Sequence, residues 1–203
     1  MPEHFGLSHL IQYLTQMGLK VANVNEKQEL VEMAFHGEQG QWRLIIGFHQ
    51  SGETRKLMFI VPHIATLGLY KRQECLEALM AVNYRIAIGK FGLDLNDGEI
   101  RLEETIPLAD NGLSFEQFQL ATRAIMQTIG IYQSLLPRIL YGRKSVHEAL
   151  EECEQEFFQR GKALNTTTFS PVPPPDNELH NDLNAEDVLA EVVRLLEENK
   201  KRD

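Results

Sequence analysis

Three carboxylates, Asp94, Asp97 and Glu99, crowd the segment KFGLDLNDGEIRL (residues 90–102) and form the most concentrated candidate for metal or acid–base chemistry in the chain. Calcium is the first chemistry to test. An EF-hand loop takes oxygen ligands from positions 1, 3 and 5, needs glycine at 6 and ends in glutamate at 12. With Gly98 at position 6, position 1 falls on Leu93, so the register fails. A turn explains the same residues: Asp97 and Gly98 at the centre of a type I′ turn would pair Leu95 with Ile100 and Leu93 with Leu102, leaving the apolar side chains on one face. Asp94 then faces away from Phe91 and Leu93, toward solvent or a basic neighbour such as Arg101.

The remaining reactive side chains are scattered. His36, His49 and His63 are separated by whole strands, and no HxH or HExxH spacing occurs. Cys75 and Cys153 sit in amphipathic stretches without a CxxC partner, which reads as reduced core thiols. No GxGxxG, GxxxxGK[ST] or GxSxG string is present, and IGKFG (88–92) precedes a hairpin rather than opening a helix. Asn83 is different, because it falls on the buried side of a helix, where a bare amide costs about 1 to 3 kcal/mol. It is expected to tie the helix end to neighbouring backbone, with a ligand contact as the alternative. The expectation is a protein without catalytic residues, metal or cofactor.

The elements that must hold these residues follow from periodicity. Leu7, Leu10, Ile11, Leu14 and Met17 recur at helical spacing, with Ser8 as candidate N-cap and Gly18 as terminator. Three runs alternate with period two: Val31, Met33, Phe35; Trp42, Leu44, Ile46, Phe48; and Leu57, Phe59, Val61, closed by Pro62. Their short glycine-bearing links predict an antiparallel meander. A second helix over 72–85 has its stripe at Leu76, Leu79, Met80 and Asn83. After the 90–106 hairpin, Ser114 and Gln117 form a capping box ahead of a helix with stripe Phe118, Ala121, Ile125, Ile129, Tyr132 and Leu136, ending at Pro137. A further helix starts at Ser145, capped with Glu148, with stripe Val146, Ala149, Leu150, Cys153 and Phe157.

Residues 161–184 change character: they are poor in large apolar side chains and rich in proline around 171–175, as befits an extended linker. Beyond it, Val188, Leu189, Val192, Leu195 and Leu196 form a narrow seam on an acidic helix over 185–203. A net charge of −9 without a Lys/Arg cluster argues against nucleic acid as a partner. No stretch is long and apolar enough for a membrane span, and MPEHFGLSHL lacks a basic stretch followed by an apolar run, which gives the expectation of a cytoplasmic protein.

Residues 83–118, NYRIAIGKFGLDLNDGEIRLEETIPLADNGLSFEQF, resemble the YbjN-like family. The matching positions are Asn83, Gly89, Lys90, Phe91, Leu93, Asp94, Asp97, Gly98, Glu99, Pro107, Leu113, Ser114 and Gln117, and the likeness extends over about 29–141 as an order of elements. The resemblance implies a fold similar to type III secretion chaperones and a role in sensory transduction, with no catalytic residues to carry over. The extra C-terminal elements are similar to an uncharacterised cyanobacterial or plastid branch.

These readings combine into an α+β domain over 1–160, with a five-stranded, mainly antiparallel sheet, helices on one face, and the order α-β-β-β-α-β-β-α plus extra C-terminal helices. The sheet face opposite Trp42 and Phe59 carries Leu30, Ala34, Ile45, Gly47, Met58 and Ile60, too apolar a set to leave in water. A protein partner is therefore expected, first of all a second copy forming a homodimer, and the function expected is a non-enzymatic, chaperone-like or regulatory adaptor. Candidate binding residues are Ile45, Met58 and Ile60 with the tail seam. The alternative is a small-ligand sensor or enzyme with a pocket beside Asn83, Asp94 and Glu99.

Overall fold

The computed structural model describes residues 5–37, 40–109 and 112–166. The three alternating runs form β2 (Leu30–Gly37), β3 (Gly40–Ser51) and β4 (Thr54–Thr66), an antiparallel meander with Val31 opposite Ile46 and Ile46 opposite Phe59. Gly52, at φ +61, is the first central residue of the two-residue link between β3 and β4, the position where a type II′ turn needs glycine. The hairpin supplies β5 (Lys90–Leu93) and β6 (Glu99–Pro107), with β6 inserted between β4 and β5. The sheet has six strands rather than five, in the order β1-β2-β3-β4-β6-β5. The additional strand β1 (Asn23–Asn25) pairs with the start of β2. Its one apolar residue, Val24, is too little to show a period of two; only backbone pairing makes it a strand.

Pro62 does not end β4. The strand continues through a bulge, since Val61 opposes Leu102 while Ala65 opposes Ile100. A proline is tolerated there because bulged residues need not donate to the ladder. His63 takes φ +52, and its N–H donates to Glu99 Oε1 at 2.9 Å.

Helices α1 (Leu7–Gln16), α2 (Arg72–Arg85) and α3 (Phe115–Tyr132) pack on the sheet face that carries Val31, Leu44, Ile46, Phe59 and Leu102, and all join one core. Phe118 of α3 meets both Tyr13 and Phe59. The N-cap of α1 is Gly6, not Ser8, and His9 Nδ1 accepts the Gly6 N–H. Gly18 ends it as expected, at φ +75 with its N–H on Thr15 O. Ser114 and Gln117 cap α3 reciprocally, at 3.3 and 3.0 Å. On α2 the buried residues are Cys75, Ala78, Leu79 and Val82, whereas Met80 is 66% exposed. Small side chains at 75 and 78 let the helix approach closely, and the bulkier Met80 stays outside.

α3 stops at Tyr132, and Pro137 lies instead in the first turn of a short helix, α4 (Leu135–Leu140), where a missing N–H is harmless. The last described helix, α5 (Val146–Thr166), begins with the Ser145–Glu148 capping box. It reaches six residues into the stretch read as linker; 167–184, and the tail helix with Val188, Leu189, Val192, Leu195 and Leu196, lie outside the described residues. α4 and α5 form an outer layer over α2 and α3, laced by Arg138 to Glu152 (2.9 Å) and Glu156 (2.6 Å) and by Lys144 to Glu152. Tyr132 donates to Glu154 Oε1 at 2.8 Å, and Arg85 pairs with the same carboxylate; burial and then this carboxylate push the Tyr132 hydroxyl up.

The Lys144 and Arg138 hydrogen bonds hold the Glu152 carboxyl below its ordinary range. A depressed folded-state value stabilises the protein above the unfolded pKa, about 4.3, and that contribution fades as pH falls through the folded value. The urea midpoint of Glu152→Gln should therefore fall below that of the wild type near neutral pH, and the gap should close on acidification. A gap that persists to about pH 3 would show that the effect of Gln is steric rather than electrostatic.

Candidate functional site

The 83–99 motif is consumed by its own backbone. The type I′ turn is not formed: Leu93 pairs with Ile100 and Phe91 with Leu102, a register two residues short of the one read from sequence. Asp94 N–H donates to Glu99 O, and Gly98 N–H to Asp94 O, both at 2.9 Å, so the loop spans 95–98. Asp94 dictates this, because its Oδ1 takes the Asn96 N–H (2.8 Å) and Nδ2 (2.9 Å), an Asx turn that ends the strand early. The shift is even, so the same apolar face is kept, and Leu95 is left at the tip, 81% exposed. Asp97 Oδ1 accepts the Glu99 N–H at 2.9 Å. Arg101 pairs with Glu103 at 2.8 Å rather than with Asp94. Glu99 holds the β4 bulge through His63. Each carboxylate of the acidic run thus shapes the chain.

Asn83 does what its burial demands. Its Nδ2 donates to Phe91 O at 3.0 Å and its Oδ1 accepts the Phe91 N–H at 2.8 Å, so the amide imitates one ladder pair along edge strand β5. Lys90 Nζ donates to the Asn83 and Ile86 carbonyls, a cation on the C-terminal end of α2. Gly89 sits at φ +80, and a Cβ there would lie 2.7 Å from Ile125 Cδ1. Its N–H donates to Glu104 Oε2 at 2.6 Å. The motif is a joint between α2, the hairpin and α3.

The opposite sheet face offers different chemistry. Strand alternation carries Leu30 over Gly47 and Met58 in one row, and Glu32, Ile45, Ile60 and Glu103 in the next. The apolar members are half-buried against one another, while the helices join the core on the other side. Arg43–Glu32 at 2.7 Å bounds the patch on one flank and Arg101–Glu103 on the other. Gly47 has no room for more: a Cβ would come 2.7 Å from Leu30 Cβ. The structure therefore brings Ile45, Met58 and Ile60 together. The two flanking ion pairs escape a sequence reading, because which arginine meets which glutamate depends on register.

A cleft of about 270 Å³ opens between Phe5, Gln50, Glu53, Arg55, Leu108, Ala109 and Gly112. It lies at the other end of β4 and β6 from the 83–99 motif, since Arg55 O accepts from Leu108 there while Leu67 meets Gly98 at the far end. Its guanidinium is already engaged by Phe5 O (2.6 Å), Glu29 (2.8 Å) and the Phe48 ring (4.0 Å). Among the described residues, no three His, Cys, Asp or Glu side chains are grouped to hold a metal ion, and no helix is long and apolar enough to cross a membrane. Burial pushes both thiols up, Cys75 and Cys153 alike.

Comparison with known proteins places this geometry. YbjN, a family described as "Putative bacterial sensory transduction regulator", matches residues 7–134. No curated protein matches the chain. Among solved structures, the chain is similar to that described as "Crystal structure of YbjN, a putative transcription regulator from E. coli", at 15% identity and a TM-score of 0.43, over 75% of this chain and 94% of that one. The family match covers the joint around Asn83, the hairpin and the meander with its apolar outer face, and on it the chain belongs to the YbjN family.

Proposed function

We propose that this chain is a non-enzymatic regulatory module that binds a protein or peptide partner, in the manner of a chaperone-like adaptor, through the outer face of its sheet. The observation that carries the reading is the apolar patch of Leu30, Ile45, Met58 and Ile60, spread over two adjacent cross-strand rows on the face away from the helices and bounded by two ion pairs. Unsatisfied apolar surface rimmed by charge is the usual anatomy of a protein contact. The polar atoms of the motif support the same reading from the other side, because Asn83, Asp94, Asp97 and Glu99 spend them on the chain's own backbone. The family's description as a transduction regulator is compatible with such a role.

The experiment compares the tagged wild type with the double variant I45S/I60S and with Leu120→Ser, an exposed apolar change on α3. Leu120→Ser should unfold within about 1 kcal/mol of the wild type, as surface changes do, whereas I45S/I60S removes two half-buried cross-strand neighbours and should cost more, so capture is compared at a temperature where circular dichroism shows all three proteins folded. Proteins that co-purify with the wild type should be lost from I45S/I60S and kept by Leu120→Ser in quantitative mass spectrometry. Equal retention by all three would remove the outer face as the binding surface. A small molecule retained in native mass spectra would favour the ligand-sensor reading.

A further inference from the structure

We propose that the open stretch of β2, Met33–Gly37, is where the partner inferred above docks, by adding an extended peptide segment to the sheet as a further strand; the inference rests on that reading and names the conformation of the partner.

Backbone pairing fixes which groups are open. Phe48 N–H donates to Glu29 O at 3.1 Å, so the odd-numbered residues from Glu29 to Phe35 turn their N–H and C=O toward β3, and the residues between them turn outward. On that outward side Glu32 O accepts from Ala22 at 2.8 Å, and β1 covers the edge only from Leu30 to Glu32. Ala34 and His36 come next. Both are exposed, and among the described residues their outward N–H and C=O groups meet no partner. The other edge of the sheet is closed by contrast, because the Asn83 side chain occupies the N–H and C=O of Phe91 on β5. Donors and acceptors left open in strand alternation are a template for one more strand.

The dimensions select the occupant. Met33–Gly37 spans about 17 Å, the length of about five extended residues. A second copy fits less well. To use both outward residues, a second β2 has to pair antiparallel about Phe35, and that register sets its Gly37 beside Met33 and the following residue where Asn23 already lies beside Glu32. A short peptide strand carries no such extension. Its residue opposite Phe35 stands on the inner face, next to Phe35 and Trp42, whose rings stack at 4.1 Å. Its residues opposite Ala34 and His36 stand on the outer face, the face of the apolar patch. The partner segment is therefore extended, with a large apolar side chain between small or polar ones.

Heptapeptides selected from a random display library on the full-length protein, then synthesised, test this directly. They should carry that pattern, and in amide-resolved spectra of the full-length protein they should shift the Ala34 and His36 amides and slow their hydrogen exchange. N-methylation of every second peptide residue should weaken binding about tenfold in one frame, that of the N–H groups facing β2, and leave it nearly intact in the other. Ala34→Pro removes an outward N–H but no bond to β3, so it should fold as the wild type does and bind about tenfold more weakly. The inference is overturned if the peptides shift amides elsewhere, or if the two methylation frames are equivalent. If methylation and Ala34→Pro have no effect while I45S/I60S abolishes peptide binding, the partner lies on the outer face without joining the sheet, and the edge inference alone fails. If no heptapeptide is enriched the edge inference fails, and if capture of co-purifying proteins is also indifferent to I45S/I60S, the outer-face reading fails with it.

Discussion

Gly98→Val should destabilise the domain by about 3 kcal/mol or more, the largest single-site loss expected around the hairpin. Two terms add. Gly98 sits at φ +79, a region that costs a β-branched residue on the order of 1 to 3 kcal/mol. In addition, a Cβ would stand 2.6 Å from Leu67 O, an atom that cannot swing away because Leu67 N–H donates to Gly98 O at 2.8 Å. The clash is with backbone, so relief requires pulling the loop off the end of β4. Asp94→Asn is the matched control: the amide oxygen can still accept from Asn96, and its cost should stay within about 0.5 kcal/mol. Urea denaturation of both variants decides the matter. Equal, small losses would mean that the hairpin tip is free to rearrange and that Gly98 is not held against Leu67.

Asn83→Leu should cost about 2 to 4 kcal/mol, because it strips Phe91 of both backbone partners while Phe91 itself is only 8% exposed. Leucine has the same branched skeleton of side-chain heavy atoms as asparagine, so the change chiefly removes the donor and the acceptor and the loss reports on hydrogen bonding. Asn83→Asp separates the two bonds. A carboxylate still accepts the Phe91 N–H but faces the Phe91 carbonyl without a proton to offer, so this variant should be weaker near neutral pH and recover relative to the wild type as the carboxyl protonates. Hydrogen exchange at the Phe91 amide should accelerate strongly in Asn83→Leu. Unchanged exchange there would show that the amide is not what holds the edge strand to α2.

Much of this fold was legible because its signals are local. The alternation of Val31, Met33 and Phe35, of Leu44 and Ile46, and of Leu57, Phe59 and Val61 identifies three strands and their inward face without any knowledge of neighbours. Ser114 with Gln117 and Ser145 with Glu148 mark helix starts for the same reason, since a capping box closes within four residues. Asn83 was legible as a tether because a buried amide must find partners. Ile45, Met58 and Ile60 were legible as members of the second, outward face of an amphipathic sheet.

What lay beyond the sequence is what depends on partners distant along the chain. β1 is a strand only because β2 offers Val31 to Val24. The hairpin register was misread by two residues because two even-numbered pairings keep the same apolar face, and the choice between them rests on the Asp94 Asx turn and on Leu67 locking Gly98. Pro62 looked like a terminus because proline interrupts a ladder, yet Glu99, thirty-six residues on, accepts the His63 N–H and carries β4 past it as a bulge. The stripe of α2 was displaced because Cys75 and Ala78 weigh little in a count of apolar side chains, whereas close approach to the core favours small ones. Sequence alone determined the apolar inward face of β2, β3 and β4 and the starts of α3 and α5, since those follow from short-range periodicity and capping. Tertiary structure decided the register, the edge strand and the ion pairs that frame the outer face, because each is a competition among alternatives that local sequence leaves nearly equal in energy.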